Sequence, residues 1–301
     1  MVLTSETIAE TVRRGLRQRS AVLPSYLLYD AAGSALFERI TGTPEYYPTR
    51  AETAILERHA AEMVGDAIEI VEFGSGSSVK SILLLQVIAD RPGATYIPVD
   101  ISADFLAHTA AGLNQHFPTI AIRPIAKEYT AALRSLPASP RPRLFAFLGS
   151  NVGNFEPRQE VQFLRAVRQA MTTGDSLLIG TDLVKSPDVL LAAYNDAAGV
   201  TAAFTRNLLT RMQNEAAAEL NADHWRHDAR WNAEESRMEI GLIALTSTTI
   251  TLEGESFSFV AGDRIETELS HKYTRESVGR LAEAAGMRVT GWWTDRDGLF
   301  A

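Results

Sequence analysis

The chain of 301 residues contains no cysteine. That absence excludes disulfide cross-links, thiol nucleophiles and thiolate metal sites, and it fits a reducing, cytoplasmic compartment. Also missing is any run of about 18 apolar residues, the length a bilayer crossing needs, so no membrane partner is expected. The opening stretch, MVLTSETIAETVRRGLRQRS, carries acids and no continuous apolar block, which is not the layout of a secretory signal. Positive charge is scarce: 29 Lys and Arg stand against 37 Asp and Glu, for a net charge of −8. A phosphate backbone needs a basic surface, so no nucleic-acid partner is expected either. The one basic cluster, Arg13, Arg14, Arg17 and Arg19, reads as the solvated face of a helix that buries Ile8, Val12 and Leu16. The chain has no G-x-S-x-G, no P-loop and no H-E-x-x-H. Its six histidines show no metal spacing, and His224-x-x-His227 lacks supporting ligands, so no metal is expected.

Apolar residues make up 46% of the chain, enough for a sizeable core, and no segment is low-complexity. Residues 5–18 read as a helix. Residues 21–50 read as irregular but rich in aromatics (Tyr26, Tyr29, Phe37, Tyr46 and Tyr47), so this segment is expected to pack or bind. A helix at 51–64 precedes the alternation of a parallel α/β sheet. Its strands are expected at 68–73, 95–100, 119–125, 143–149 and 176–181, with helices near 79–90, 102–115 and 157–172. Residues 187–197 and 200–221 read as helical. Residues 237–247, 248–260 and 264–270 alternate apolar and polar side chains, as antiparallel strands do, with Glu253-Gly254-Glu255 as a hairpin turn. A helix at 274–285 and a strand at 287–294 return to the α/β style. The chain stops at GLFA, where an antiparallel edge strand is expected to begin, which points to a truncated terminus. The simplest division is an α/β domain of 60–189 plus 271–301, and a second domain of 1–59 plus 190–270. A ligand cleft is expected between them, at the carboxyl ends of the strands.

The chemistry concentrates at three strand tips. At the first, IEIVEFGSGSSVK turns from strand to helix at Gly74-Ser75-Gly76. Glycines there let a backbone approach a ligand, although a plain strand-to-helix turn has the same look. Asp100 ends the next strand, 26 residues beyond Gly74, where a carboxylate can accept from a ribose. Glu128-Tyr129 follows the third, an acid and an aromatic ring that could hold adenine. The set suits S-adenosylmethionine, which has no pyrophosphate to cradle; helix-capping acids and surface residues are the alternative. Beyond the fourth strand the turn GSNVGN places Asn154 where its amide can donate to a carboxylate, or simply shape a turn. On the strand at 264–270, Glu268 and Ser270 are two apart and share a face. In a cleft they would receive a ring bearing N–H groups, such as imidazole; otherwise they belong to a solvated face. The tyrosines, with Tyr194, could be core residues with satisfied hydroxyls.

Taken together these residues resemble the histidine-specific Nα-methyltransferase family of ergothioneine biosynthesis. The resemblance runs from about Leu23 to Asp297 and is carried by YDAAGSALFERITGTPEYYPTRAE, VEFGSGSSVK, FLGSNVGN, GTDLVKSPDVLLAAYNDAAGVTAAF and ETELSHKYT. It implies a Rossmann-like class I methyltransferase sheet with an inserted α+β substrate-binding domain. It further implies conversion of L-histidine to Nα,Nα,Nα-trimethylhistidine (hercynine), with S-adenosyl-L-methionine as cofactor and a small amino acid as partner, by a protein expected to be monomeric. Gly74, Ser75, Gly76 and Lys80 would hold the methionine end of the cofactor, Asp100 the ribose, and Glu128 and Tyr129 the adenine. Asn154 and Tyr194 would hold the substrate carboxylate and Tyr29, the catalytic residue, its α-amine. Glu268 and Ser270 would bind the imidazole, with Tyr46, Phe37 and Ile240 walling the pocket. Two positions depart from the family pattern. Lys127-Glu128-Tyr129 replaces the usual Gly-Asp before an aromatic, and Ile240 stands where Met is common. Ile is β-branched and stiffer, so the wall beside the imidazole is reshaped. Two rival readings are methylation of another aromatic amino acid, such as tryptophan or a derivative, and a non-catalytic binding homologue. An indole has one N–H and little use for Glu268.

Overall fold

The computed structural model describes residues 7–76, 78–137, 139 and 141–301, except for the side chains of Asp104 and Phe105. In chain order it runs α1 (Ile8–Leu16), β1 (Ala21–Val22), α2 (Ala31–Thr41), α3 (Pro48–Val64), β2 (Glu69–Phe73), α4 (Ser81–Ile88), β3 (Thr95–Asp100) and α5 (Ala103–His116). Next come β4 (Ala121–Ile122), β5 (Ile125–Ala126), α6 (Tyr129–Ser135), β6 (Arg143–Phe147), α7 (Pro157–Ala170), β7 (Ser176–Ile179), α8 (Pro187–Tyr194) and α9 (Val200–Glu215). The remainder is β8 (Trp225–Asn232), β9 (Arg237–Ala244), β10 (Thr248–Leu252), β11 (Glu255–Phe259), β12 (Arg264–His271) and α10 (Arg275–Ala284). Residues 5 and 6 of the expected first helix lie outside the described residues. Among the described residues no helix is long and apolar enough to cross a membrane.

Packing divides the chain into two units. One comprises Pro48–Val184 with Tyr273–Ala301; the other ends its first segment at Tyr47 and resumes over Lys185–Lys272. The sequence-based boundary at 59/60 would cut α3. The helix stays whole because Leu56, Ala60 and Val64 pack with Leu84, Leu85 and Ile88 of α4.

In the first unit the strands are all parallel, in the order β4-β3-β2-β6-β7, with β5 beside β3. Successive strand residues point to opposite faces, and both faces are covered. Ile70, Tyr96, Leu144 and Ala146 pack with α3, α4 and α5. Their neighbours Val71, Phe73, Ile97, Val99, Phe145 and Phe147 pack with α6 and α7. This is why residues 144–147 of β6 read as an unbroken apolar run, while β2 keeps Ile70, Val71 and Phe73 apolar and buries Glu69 and Glu72 with them. Order reverses at β2, which pairs with β3 on one side and β6 on the other, so the crevice for a ligand lies at the tips of these strands. The expected strand at 119–125 is two short pieces, β4 and β5, and α6 was not expected. The expected strand at 287–294 does not form. Instead Trp293 donates to Glu62 at 3.0 Å, and the last residues pair with Thr181: Thr181 N to Ala301 O is 2.7 Å and the return bond 2.9 Å.

Behind the sheet, Tyr273 donates to Glu160 of α7 at 2.6 Å. Burial pushes the Glu160 carboxyl up to about 7, and the Tyr273 bond works against that. A carboxyl raised in the folded state weakens the fold as pH climbs from the ordinary carboxylate range to that value. Tyr273→Phe removes the donor that the ionised form most needs. The expected loss, read from urea melts, is about 1–3 kcal/mol at pH 8 and smaller at pH 5. An equal loss at both values would remove the ionised carboxylate from the explanation.

The second unit is a four-stranded sheet, β1-β12-β9-β8, parallel between β1 and β12 and antiparallel elsewhere, with a separate β10–β11 hairpin. Glu253 and Gly254 both have positive φ (50° and 84°), as a two-residue hairpin turn of primed type requires. Arg13 of α1 and Arg17, which caps it, pair with Glu253 and Glu255 of this hairpin, while Val12 and Leu16 enter the core. Two elements depart from expectation. Residues 31–41 form α2, capped by Asp30, whose Oδ1 accepts from Gly33 N at 2.7 Å. A Cβ on Gly33 would lie 1.8 Å from the Leu28 carbonyl oxygen, so the residue that weakens the helix signal is the one the close approach demands. Residues 225–232 form β8, whose polar sequence WRHDARWN hides a strand with one charged face.

Candidate active site

The first unit gathers eight of the expected residues around its strand tips. Gly74 leaves β2 with φ +67°, its N–H bonded to Val99 O at 2.8 Å. A Cβ there would sit 2.8 Å from the Tyr129 hydroxyl and 3.2 Å from Asn151 Nδ2. Gly76 has φ +49° and open space beside it. Between them Ser75 is buried, and its Oγ has no hydrogen-bond partner among the described residues. Asp100 ends β3 and accepts from Ser102 N at 3.0 Å. Burial pushes its carboxyl up, against the backbone bonds from Ser102, Ile101 and Gly76. A vicinal diol would restore the donors that burial removed. The glycine turn, the unsatisfied serine hydroxyl and the desolvated acid fit an adenosyl group.

Glu128 and Tyr129 carry structural duties at this tip. Glu128 caps α6: its Oε2 accepts from Thr130 N (3.0 Å), Ala131 N (3.1 Å) and Thr130 Oγ1 (2.6 Å). The Tyr129 ring packs edge-on to Phe73 and Phe147, 5.7 and 5.5 Å between centroids, and its hydroxyl lies beside the Gly74 turn. Lys80 forms an ion pair with buried Glu52 of α3, and Glu52 also accepts from Gly149 N at 2.8 Å. Asn154 closes a 3-10 turn, Asn151–Asn154, directly after β6. Sequence reasoning missed Glu52 and Asn151. Asn151 sits beside both Gly74 and Gly149, and only the fold reveals that adjacency.

In the second unit Tyr29, Phe37, Tyr46 and Tyr194 form a continuous aromatic row. Ring centroids are 5.5 Å apart for Tyr29–Phe37, 6.2 Å for Phe37–Tyr46 and 6.3 Å for Tyr46–Tyr194, all edge-to-face. Phe204 of α9, which sequence reasoning missed, lies 5.3 Å from Tyr29. Tyr194 ends α8 and hydrogen-bonds Ser270 Oγ at 2.8 Å.

A bulge decides which way β12 presents its side chains. Glu266 pairs with Gly241, and Glu268 pairs with Ile240, so Thr267 is the extra residue. Strict alternation from Ile265 would turn Glu268 and Ser270 toward the charged face. There Arg264 pairs with Asp228 at 3.3 Å and Arg237 with Glu239 at 3.0 Å. The inserted residue reverses the parity. Glu268 and Ser270 therefore share the side of Ile240 and Leu242, and Leu242 belongs to the apolar core. Glu268 keeps partial solvent exposure, yet protein atoms enclose it densely enough to push its carboxyl up to about 7, with Lys272 pulling the other way. Lys272 lies two residues past Ser270 and was also missed; the same stride of two would have found it. His224 and His227 do not act as a pair. His227 bonds Tyr194 O at 2.8 Å and Thr205 Oγ1 at 3.0 Å, while His224 bonds Thr248 Oγ1 at 3.0 Å. Among the described residues no cluster could hold a metal ion.

A parallel sheet switching order at a glycine turn, with a desolvated acid on the next strand, defines a Rossmann-like class I methyltransferase that uses S-adenosylmethionine. The chain belongs to the family of histidine-specific, SAM-dependent methyltransferases, which it matches over residues 8–301. It is 40% identical to a histidine N-alpha-methyltransferase of Mycolicibacterium smegmatis, covering 98% of this chain and 94% of that one. It is 33% identical to the ergothioneine biosynthesis protein 1 of Neurospora crassa, over 90% of this chain and 32% of that protein. A 4-dimethylallyltryptophan N-methyltransferase of Epichloe festucae var. lolii is 27% identical over 96% of this chain and 92% of its own length.

Proposed function

We propose that this methyltransferase acts on the α-amine of L-histidine and adds three methyl groups, giving hercynine. The observation that carries the reading is the bulge at Thr267, which turns Glu268 and Ser270 toward the apolar side of their sheet. A carboxylate and a hydroxyl held there suit the two ring nitrogens of an imidazole. We assign cofactor binding to the first unit and amino-acid binding to the second. When bound, S-adenosylmethionine supplies an electrophilic methyl group. Gly74, Ser75 and Gly76 would line its methionine end, with Lys80 offering the two ammonium hydrogens left beside Glu52. Asp100 would take the ribose hydroxyls. Glu128, already committed to its helix cap, would face the adenine with its second oxygen, beside Tyr129. Asn154 and Tyr194 would hold the substrate carboxylate.

A free α-amine is largely protonated near neutral pH and must lose a proton before it can attack. Tyr29 would orient the lone pair and pass that proton to water. Its neighbours Phe37, Tyr46 and Phe204 present ring faces and edges that tolerate a growing methylated ammonium. No covalent enzyme intermediate is required, so positioning supplies most of the acceleration. Tyr29→Phe is expected to lower kcat about 100-fold in a single-turnover assay, with cofactor affinity unchanged. Unchanged turnover would take Tyr29 out of the mechanism.

A second reading, an indole-bearing amine, is favoured by Ile240, which is buried directly across from Glu268. One experiment separates the two: mass spectrometry of the standard amino acids after incubation with enzyme and S-adenosylmethionine. Trimethylated histidine alone supports the first reading, and a methylated tryptophan in its place overturns it. The lack of cysteine supports work in the reducing cytoplasm.

A further inference from the structure

Lys272 follows Glu268 and Ser270 at the same stride of two, one residue past the end of β12, and it is buried at 4% exposure. Lysine is rarely enclosed to that degree without a purpose for its charge. Its Nζ donates to Tyr194 Oη at 2.8 Å and to Ser270 Oγ at 2.7 Å, and stands 4.7 Å from the centroid of the Tyr194 ring. The two hydroxyl oxygens are themselves 2.8 Å apart.

Hydrogen counting constrains this triangle. An ammonium only donates, so both oxygens turn a lone pair toward Nζ. One hydroxyl hydrogen is used between Tyr194 and Ser270. The other cannot be used within the triangle. Tyr194 is also held from its backbone: burial keeps His227 neutral, and its Nε2–H donates to the Tyr194 carbonyl at 2.8 Å. This side of the chain is thereby polarised, with a carboxyl at Glu268, a hydroxyl at Ser270 and a positive charge at Lys272.

We infer that Lys272 is a positioning residue that gives the amino-acid site its direction: it fixes the Tyr194 hydroxyl, and with it its own charge, to receive the substrate carboxylate past the end of β12, while Ser270, held between them, stays beside Glu268 for the imidazole. The inference rests on the reading of this site as an amino-acid site. It adds the requirement that the substrate carry a carboxylate, so that the decarboxylated amine is rejected. A neutral side chain would leave the hydroxyls free to bond each other in either sense, and the preference for the acid would vanish.

Lys272→Met keeps the length of the side chain and removes its charge. The test compares KM for histidine with Ki for histamine, the decarboxylated amine, in wild type and variant. Thermal melting and S-adenosylhomocysteine calorimetry serve as controls on the fold. The expected result is a rise in KM for histidine of about 10–100-fold, with kcat within a few-fold and Ki for histamine unmoved. An equal loss for both ligands means that Lys272 only supports the fold, and an unchanged KM means that the carboxylate goes elsewhere; either overturns the inference. Where Lys272→Met does not fold, Lys272→Arg keeps the charge but misplaces the donors, and the same ratio is read from it. Should wild type prefer another amino acid, the ratio is measured with that acid and its own decarboxylated amine, so the two readings fail separately.

Discussion

Glu268→Ala is expected to raise KM for histidine about 100-fold while changing kcat by less than tenfold, because a hydrogen bond to a charged partner is worth about 1.5–3 kcal/mol and this one is made equally before and during transfer. Glu268→Gln keeps the shape and loses the charge, so it separates packing from electrostatics. In wild type the carboxyl, held at about 7 by burial, becomes a charged, acceptor-only group as pH rises through that value. The kcat/KM profile should therefore climb near pH 7 and again at higher pH, where the substrate amine deprotonates. Glu268→Gln should lose the first limb and keep the second. Stability should move in the opposite sense. A carboxyl whose folded value is raised weakens the fold as pH climbs from its ordinary range to about 7. Glu268→Gln should then melt above wild type at pH 8, with the gap closing toward pH 4. A variant that retains both the limb and the KM would show that imidazole is not bound at Glu268.

The second large effect is expected at the glycine turn. Gly74→Val should weaken S-adenosylhomocysteine binding at least 100-fold. A side chain at φ +67° carries a left-handed backbone cost of about 1–2 kcal/mol, most severe for a β-branched residue. The new atoms would also press on the Tyr129 hydroxyl and Asn151, where overpacking typically costs about 1–3 kcal/mol more. Gly76→Ala is the control. Its φ is also positive, but no atom lies within 4 Å of the added carbon, so only the backbone cost applies. Calorimetry on both variants should rank Gly74→Val far below Gly76→Ala. The reverse order would place the cofactor against Gly76 and not at the Gly74 turn.

The parallel sheet was legible because β2, β3 and β6 are covered on both faces and so read as mainly apolar runs. The glycine turn and Asp100 follow from the same runs, since each marks where a strand ends. Other features leave no such trace. Residues 287–294 have strand-like composition yet pair with no strand among the described residues, and pairing is not a local property. In β8 one face carries Arg226, Asp228 and Arg230, so its polarity conceals the strand. The orientation of Glu268 was beyond reach altogether. A single extra residue at Thr267 exchanges the two faces of everything after it, and nothing in the composition of RIETELSH announces the insertion. Lys272 could have been reached by the same stride of two, although its burial could not be read from the sequence. Glu128 and Tyr129 were found as residues, but their capping and packing duties depend on α6, a helix too short for its periodicity to show.

The β1–β12 pairing has a consequence for synthesis. Ala21 and Val22 lie beside Ile265 and Glu266 in a parallel ladder, and Leu23 N donates to Glu266 O at 2.8 Å. The strands of the parallel sheet are all translated by Ile179. On the ribosome, the nucleotide-type sheet can therefore assemble while the amino-terminal segment still waits for its partner, which emerges near the end of translation. Until then the aromatic segment around Tyr26, Tyr29 and Phe37 is held by a nascent chain that lacks the strand it will dock on, so the earliest aggregation-prone species should be one that is complete at the cofactor end and open at the other.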